Sequence, residues 1–389
     1  MKIAELTAFH VRIRLKRPIR HASHTRTETD NVIVRCVLAD KSEGYGEGLP
    51  RDYVTGETID SALELLKHSD LPAQFEECKD FAAVLHWAER LRLAPVPGDE
   101  RQCQGNAARC AVELALLDAY GGTFGEPLMN VTKTLAPELY QPREHVQYSG
   151  AIASARGWKL RLVAGVMRLY GFHQVKLKVG IPGYNDAKRV RSLRRIAGKH
   201  MDLRVDANEA WNPDEAVEKI QSLEPAGITS VEQPVAHEKL DSLPRVRKQV
   251  RTPIMLDESL CSRVDAERAV ALQACDLFNL RLSKCGGFIP ALRLAQFAQR
   301  NGLGYQLGCQ VGETAILSAA GRHFATSVRD IRYLEGSYDR HLVAEALGTE
   351  DLTFRRGGWA NALVGCGLSF TVDPAALEKV TVRKESLFG

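Results

Sequence analysis

The sequence predicts an α/β protein: a (β/α) barrel with an N-terminal α+β domain. From about residue 145, one pattern recurs: a short β-rich run, a polar residue at its end, then a helical stretch. Strands that alternate with helices indicate βαβ units, and eight in succession indicate a closed barrel. The eight predicted strands are HVQYSGAIA, QVKLKVG, DLRVDAN, ITSVEQP, PIMLDES, LFNLRLSK, LGYQLGC and IRYLEG.

The other elements follow from periodicity along the chain. Residues 1 to about 48 alternate in the β manner and contain a glycine-rich stretch, GYGEG, which predicts a turn. Helices are predicted at SALELLKH, FAAVLHWAERL, NAARCAVELALLDAYG, YNDAKRVRSLRRIAGK and NPDEAVEKIQSLE. GLSFTVDPAALEKVTVRK predicts strand and turn that return to the first domain. We therefore expect a capping domain at 1–135, a barrel at 140–345 and a C-terminal segment at 346–389.

Composition excludes several classes of protein. The chain has 389 residues, 44% of them apolar, and Lys plus Arg exceed Asp plus Glu by only 4. No long run of one charge sign stands out, so neither a nucleic-acid nor a membrane partner is expected. The N-terminus lacks the apolar core of a signal peptide, and no apolar run approaches the roughly 20 residues of a membrane span. The nine scattered cysteines predict free thiols in the cytoplasm, with neither a disulfide nor a zinc site.

Two lysines mark the second predicted strand. In QVKLKVG, Lys176 and Lys178 alternate with apolar residues, so they share one face, about 6.6 Å apart along the strand. On an exposed strand they would form an ordinary solvated face, but a barrel strand is covered on both faces. Each cation disfavours protonation of the other, and burial adds to this effect. One lysine is therefore expected to have a lowered pKa and to act as a general base.

Carboxylates end the next three predicted strands. Asp206, Glu232 and Asp257 follow Lys178 at intervals of one βα unit. Each alone could cap a helix, but together they lie at the C-terminal end of the barrel, where active sites are found. Unpaired, they would repel one another, and Mg²⁺ is the cation that best fits such oxygen ligands. A metal facing a base predicts proton abstraction next to a carboxylate, with the enediolate charge held by the cation.

These motifs, in this order, resemble a known family. KLKVG, VDANEAW, SVEQP, LDES and Asn-x-basic-x-x-Lys-x-Gly-Gly resemble the enolase superfamily, specifically its muconate lactonizing enzyme subgroup. That subgroup includes muconate cycloisomerases, dipeptide epimerases, N-acylamino acid racemases and o-succinylbenzoate synthases. The resemblance covers nearly the whole chain and implies a modified TIM barrel with a capping domain. It also implies that Lys178 is the base, with Lys176 beside it, and that Asp206, Glu232 and Asp257 bind Mg²⁺.

The sixth strand departs from the family pattern. Members that use two bases carry a lysine in an Asn-x-Lys pair, and matching Asn279 places Arg281 there. Strand alternation agrees, because Asn279 and Arg281 share a face, whereas Lys284 falls on the other face or beyond the strand. An arginine cannot exchange a proton with substrate at neutral pH, but it can hold a carboxylate, an enolate or an aromatic ring.

Loops and strand ends are expected to contact the substrate. HASHTRTETD and PRDYVTGET match the loops that close over the barrel in the family. The Asp-x-Asp with which dipeptide epimerases hold a substrate ammonium is absent, and the eighth strand has LEGSYD instead. The predicted substrate contacts are Asn208, Glu258, Asn279, His24, Thr25, Tyr53, Cys309 and Glu335.

The expected activity is Mg²⁺-dependent removal by Lys178 of the proton α to a carboxylate. Because only one face has a base, we expect a one-base isomerisation or elimination of a small-molecule carboxylate. One alternative is a racemase or epimerase of an amino-acid derivative or dipeptide, with a second acid sought among Cys309, Gln310 and Tyr338. Another is a non-catalytic binding protein on the same fold. A homo-oligomer is compatible with all three.

Overall fold

The fold combines a barrel of parallel strands with a four-stranded antiparallel sheet. The computed structural model describes residues 1–20 and 25–389. Its strands are β1 (Ile3–Arg20), β2 (Thr25–Leu38), β3 (Glu43–Gly48), β4 (His145–Gln147), β5 (Gly150–Ile152), β6 (Gln174–Lys178), β7 (Asp202–Asp206), β8 (Ile228–Glu232), β9 (Ile254–Leu256), β10 (Leu277–Leu280), β11 (Gly304–Leu307), β12 (Ile331–Leu334), β13 (Trp359–Asn361) and β14 (Thr381–Phe388).

Strands β5 to β12 lie side by side in chain order and run parallel, which confirms the predicted barrel. The N–H of Ser149, just before β5, donates to the carbonyl of Leu334 at the end of β12 at 2.8 Å. This bond joins the two ends of the sheet. The predicted strand HVQYSGAIA is in fact two strands, because β4 pairs antiparallel with β13 and only β5 enters the barrel.

Strand register brings the chemically important residues to one level. In the parallel ladders Lys178 lies beside Asp206, and Asp206 lies beside Glu232. Strand β9 ends at Leu256, one residue before Asp257. All three residues of β9 and all four of β10 are buried, as expected for strands covered on both faces. The sheet thus carries four charged side chains at its C-terminal edge.

Helices cover the barrel and the antiparallel sheet. In the described chain they are α1 (Asp52–Thr55), α2 (Ile59–His68), α3 (Phe81–Arg90), α4 (Asn106–Phe124), α5 (Asn130–Leu135), α6 (Gly157–Tyr170), α7 (Asp186–Ala197), α8 (Pro213–Leu223), α9 (Leu243–Gln249), α10 (Arg263–Leu272), α11 (Phe288–Arg300), α12 (Ala315–Ser327), α13 (Asp339–Leu342) and α14 (Pro374–Val380). Among the described residues, none of these helices combines the length and apolar character needed to cross a membrane.

The glycine-rich stretch GYGEG is a strand, not the predicted turn. It forms β3, and its alternate glycines face the backbone of α4. A Cβ on Gly46 would lie 2.0 Å from the carbonyl oxygen of Ala111. Glycine is therefore needed for close approach of the helix to the sheet rather than for a turn.

The C-terminal segment returns to the antiparallel sheet, as expected. Strand β14 pairs with β1, giving the sheet order β14-β1-β2-β3. The prediction of strand and turn for GLSFTVDPAALEKVTVRK is wrong in its middle, where PAALEKV forms α14. Asp373 caps this helix by accepting from the N–H of Ala375, and Pro374 occupies its first turn.

Candidate active site

Lys178 faces a cavity of about 190 Å³ at the C-terminal end of the barrel. It is the last residue of β6, it is partly buried, and its Nζ donates to Oδ1 of Asn208 at 2.7 Å. Asn208 follows β7 with a positive φ of 43°, and its N–H donates to Oδ1 of Asp206 at 3.0 Å. The amine of Lys178 is thus held beside the C-terminal end of β7, close to Asp206.

Lys176 has surroundings that differ from those expected. Its Nζ donates to Oε2 of Glu232 at 3.2 Å and to Oε2 of Glu335 at 2.9 Å, and it lies 3.5 Å from Oδ2 of Asp206. Burial disfavours its charge, but these carboxylates outweigh burial and raise the pKa of Lys176. Lys176 is therefore not the lysine of the pair with a lowered pKa. Its constant charge instead holds carboxylates from three strands together.

The strand-end carboxylates Asp206, Glu232 and Asp257 are all buried. Burial raises the pKa of Glu232 to about 7, and Nδ2 of Asn279 donates to Oε1 of Glu232 at 2.7 Å. Next to them, among the described residues, Oε2 of Glu258 is buried without a hydrogen-bond partner. Burial raises the pKa of Glu258, and the charges of Asp257 and Asp206 add to this effect. Carboxylate oxygens are the ligands that hard divalent cations prefer, but Glu232 is paired here with Lys176, and Asp257 with Arg281 and Lys284.

Arg281 lines the cavity, and Lys284 lies behind it. The guanidinium of Arg281 pairs with Asp257 and lies 3.6 Å from Oε1 of Glu232. Although burial opposes the charge, these carboxylates raise the pKa of Arg281. Lys284 is fully buried, and its Nζ donates to Oδ1 of Asp257 and to the carbonyl of Asn279, both at 2.9 Å. Both cations therefore stay charged, and both neutralise the same aspartate.

The predicted substrate contacts fall into separate groups. Those that line the cavity are Asn208, Glu258, Tyr53, Cys309 and Glu335. Asn279 is held against Glu232 instead. His24 lies outside the described residues, and Thr25 begins β2 but its side chain is not described. The binding roles of all these residues stay predictions.

The sequence does not reveal the roles of some residues in or beside the cavity. Arg204 is fully buried and pairs with Glu335, which also holds Lys176. Alternation predicts the face of Arg204, but it does not identify a partner on the distant eighth strand. Arg17 and Ile19 of β1 also line the cavity, although no motif marks them.

A second group of possible metal ligands lies outside the cavity lining. Ligand atoms of Glu209, His237 and Glu238 lie within 4.8 Å of one another on the loops after β7 and β8. Nδ1 of His237 is 2.7 Å from Oε1 of Glu209, and this hydrogen bond raises the pKa of His237. The group is partly exposed, and its side chains hydrogen-bond one another. It takes no part in the lining of the cavity that contains Lys178.

This chain resembles known proteins in both sequence and structure. A family model described as "Enolase C-terminal domain-like" matches residues 160–376. The chain belongs to the enolase superfamily. This membership confirms the family and the enzyme class that the strand motifs predict.

Several relatives within the enolase superfamily are racemases or epimerases by name. A D-Ala-D/L-Ala epimerase from Cytophaga hutchinsonii is 31% identical, over 89% of this chain and 89% of its own. An N-succinyl-L-Arg/Lys racemase from Bacillus cereus is 29% identical, over 86% and 87% respectively. The crystal structure of a dipeptide epimerase from Cytophaga hutchinsonii, complexed with Mg and D-Ala-L-Val, has a TM-score of 0.84 at 26% identity and covers 100% of both chains.

Proposed function

We propose that this enzyme removes the proton α to the carboxylate of an amino-acid derivative or dipeptide, with Lys178 as base, and that its overall reaction is epimerisation or racemisation. The observation that carries the proposal is the position of Lys178, facing a cavity that also contains Asp206, Glu258 and Arg281. An amine at the edge of such a cavity can accept a proton from a carbon held near the carboxylates.

Asp206, Glu232 and Asp257 would hold a Mg²⁺ ion in this proposal. Their burial and their place at the ends of neighbouring strands support this assignment. When bound, the ion supplies positive charge that stabilises the enediolate formed from the substrate carboxylate. Lys176 would keep two of the three carboxylates in place, since it lies within 3.5 Å of Asp206 and Glu232.

The relatives favour the epimerase alternative over the one-base reaction preferred from the sequence. A racemase and an epimerase each match more than four-fifths of this chain. Epimerisation needs a proton donor on the second face of the substrate. Cys309 and Tyr338 line the cavity, and burial raises the pKa of each. Both therefore carry a proton at neutral pH and are the donors we propose.

A one-base isomerisation or elimination is the second candidate function, and Arg281 favours it. Its guanidinium is already paired with Asp257 and close to Glu232. A cation in this state stabilises negative charge but does not return a proton. In this case, Arg281 would hold the substrate or its enolate while Lys178 performs every proton transfer.

Solvent isotope exchange separates the two candidates. The enzyme is incubated with Mg²⁺ in D₂O and a panel of N-acylamino acids and dipeptides. Loss of the α-proton signal is followed by NMR, and configuration by chiral chromatography. For the unaltered enzyme, we expect deuterium at the α-carbon of the product of opposite configuration. In Cys309→Ala or Tyr338→Phe, we expect inversion to be lost while α-proton exchange continues.

Two other outcomes have definite meanings. Exchange with retained configuration, or an unsaturated or cyclised product, would support the one-base reaction. An enzyme that binds Mg²⁺ but exchanges no α-proton with any member of the panel would contradict the proposed function.

A further inference from the structure

Helix α6 carries a row of apolar side chains that faces solvent. Trp158, Leu162, Val166 and Leu169 are 69%, 59%, 52% and 77% exposed. Their spacing of four, four and three residues places them on one helical face. Leu160 and Ala164 are the residues of α6 that are buried against the barrel, and they lie on the opposite face. The exposed row is thus additional to the apolar face that holds α6 in the fold, and large exposed apolar patches mark interaction sites.

The surface around this row is strongly cationic. Residues 153–200 contain 12 Lys and Arg but only one acidic residue, Asp186, although the whole chain has an excess of only 4 cations. Lys176 and Lys178 belong to the active-site cavity and Arg189 is buried, which leaves nine cations at least partly exposed around α6 and α7. The rest of the chain is therefore net acidic, and the average conceals a basic face. A groove of about 490 Å³ between α6 and α7 is lined by Arg156, Arg161, Lys188, Arg191 and Arg195, among others.

The charge pattern limits what can cover this face. Lys159 lies beside the apolar row on one side, and Arg161 and Arg168 lie on the other. A second copy that packed through the same helix would bring these cations together without acidic partners. A partner that combines negative charge with an apolar region would instead contact the cations and the apolar row at the same time.

We propose that the face formed by α6 and α7 binds an anionic phospholipid bilayer. The apolar side chains project outward from a helix rather than lining a groove, which suits insertion into a soft interface more than docking into a rigid protein pocket. An amphipathic helix in the plane of a bilayer buries its apolar face about 5–10 Å deep while cations meet the lipid phosphates. The groove between the helices places further arginines and lysines beside that plane. This inference is independent of the proposed catalytic function.

The test is co-sedimentation of the full-length enzyme with vesicles. Vesicles of phosphatidylcholine alone are compared with an equimolar mixture of phosphatidylcholine and phosphatidylglycerol. We expect binding to the anionic vesicles only, weakened by salt, with Trp158 fluorescence quenched by brominated lipid. Leu162→Ser with Leu169→Ser should reduce binding at least about tenfold, as should Arg191→Glu with Arg195→Glu.

Matched controls are available on other surfaces. Val364 and Val382 are 96% and 56% exposed, and their double substitution by serine should leave binding unchanged. Equal binding to both vesicle types, no binding to either, or equal binding of the Leu162 and Leu169 double variant would overturn the proposal. Self-association in sedimentation velocity that the same variant abolishes, without vesicle binding, would overturn it in favour of a second copy. Saturable binding of an acidic peptide at this face, without vesicle binding, would overturn it in favour of a protein partner.

Discussion

Replacing Lys178 with alanine is expected to lower the rate of α-proton exchange by roughly 10²- to 10⁴-fold, the usual contribution of a positioned general base. The Nζ of Lys178 is held by Asn208 at the edge of the cavity. Lys176, although close in sequence, cannot replace it, because its amine is engaged by Glu232 and Glu335. Exchange is measured by NMR in D₂O with saturating substrate and Mg²⁺.

Two further variants distinguish loss of the base from loss of charge. Lys178→Arg keeps a cation but provides no proton acceptor at neutral pH, so it should be nearly as slow as the alanine variant. Lys219→Ala removes an exposed lysine from α8 and should exchange at the unaltered rate. Substantial exchange by Lys178→Arg, with the fold intact by circular dichroism, would contradict the role of Lys178 as base.

Replacing Glu232 with glutamine is expected to weaken Mg²⁺ binding by more than about 100-fold, since even outer ligand partners contribute 10- to 100-fold. Glu232 is fully buried between Lys176 and Asn279. Glutamine preserves its shape but removes the charge that would face the ion. Binding is measured by isothermal titration calorimetry, and thermal unfolding checks that the variant folds.

The Glu209 group supplies the matched control. Glu209→Gln and His237→Ala alter the second possible metal group without touching the buried carboxylates. Both variants should bind Mg²⁺ like the unaltered enzyme. If they lose the ion while Glu232→Gln retains it, the metal belongs to the loop group and the proposed ligand set is wrong.

The arrangement of the strand ends could be predicted because it depends on repetition. Each βα unit returns the chain to the same end of the sheet, so Lys178, Asp206 and Glu232 emerge at one level in the observed register. Strand phase likewise places Arg281 in the cavity wall, with Lys284 behind it. These positions follow from a period of two along strands and from parallel order across them.

Pairing between distant side chains could not be predicted in the same way. Alternation places Lys176 inside the barrel, but it does not show that Glu335 on the eighth strand meets it there. The repulsion expected between Lys176 and Lys178 is outweighed at Lys176 by carboxylates that alternation does not reveal. Similarly, GYGEG has the composition of a turn, and only the approach of α4 to β3 explains why glycines alternate in a strand. Average charge also conceals the basic face of α6 and α7, because acidic residues elsewhere in the sequence cancel it.

A crystal structure with Mg²⁺ and a bound N-acylamino acid or dipeptide tests the central claim most directly. The substrate carboxylate should contact an ion held by Asp206, Glu232 and Asp257. The α-carbon should then lie about 3–3.5 Å from Nζ of Lys178, the separation of a reacting pair. An α-carbon directed away from Lys178, in a complex that is catalytically competent, would contradict the account.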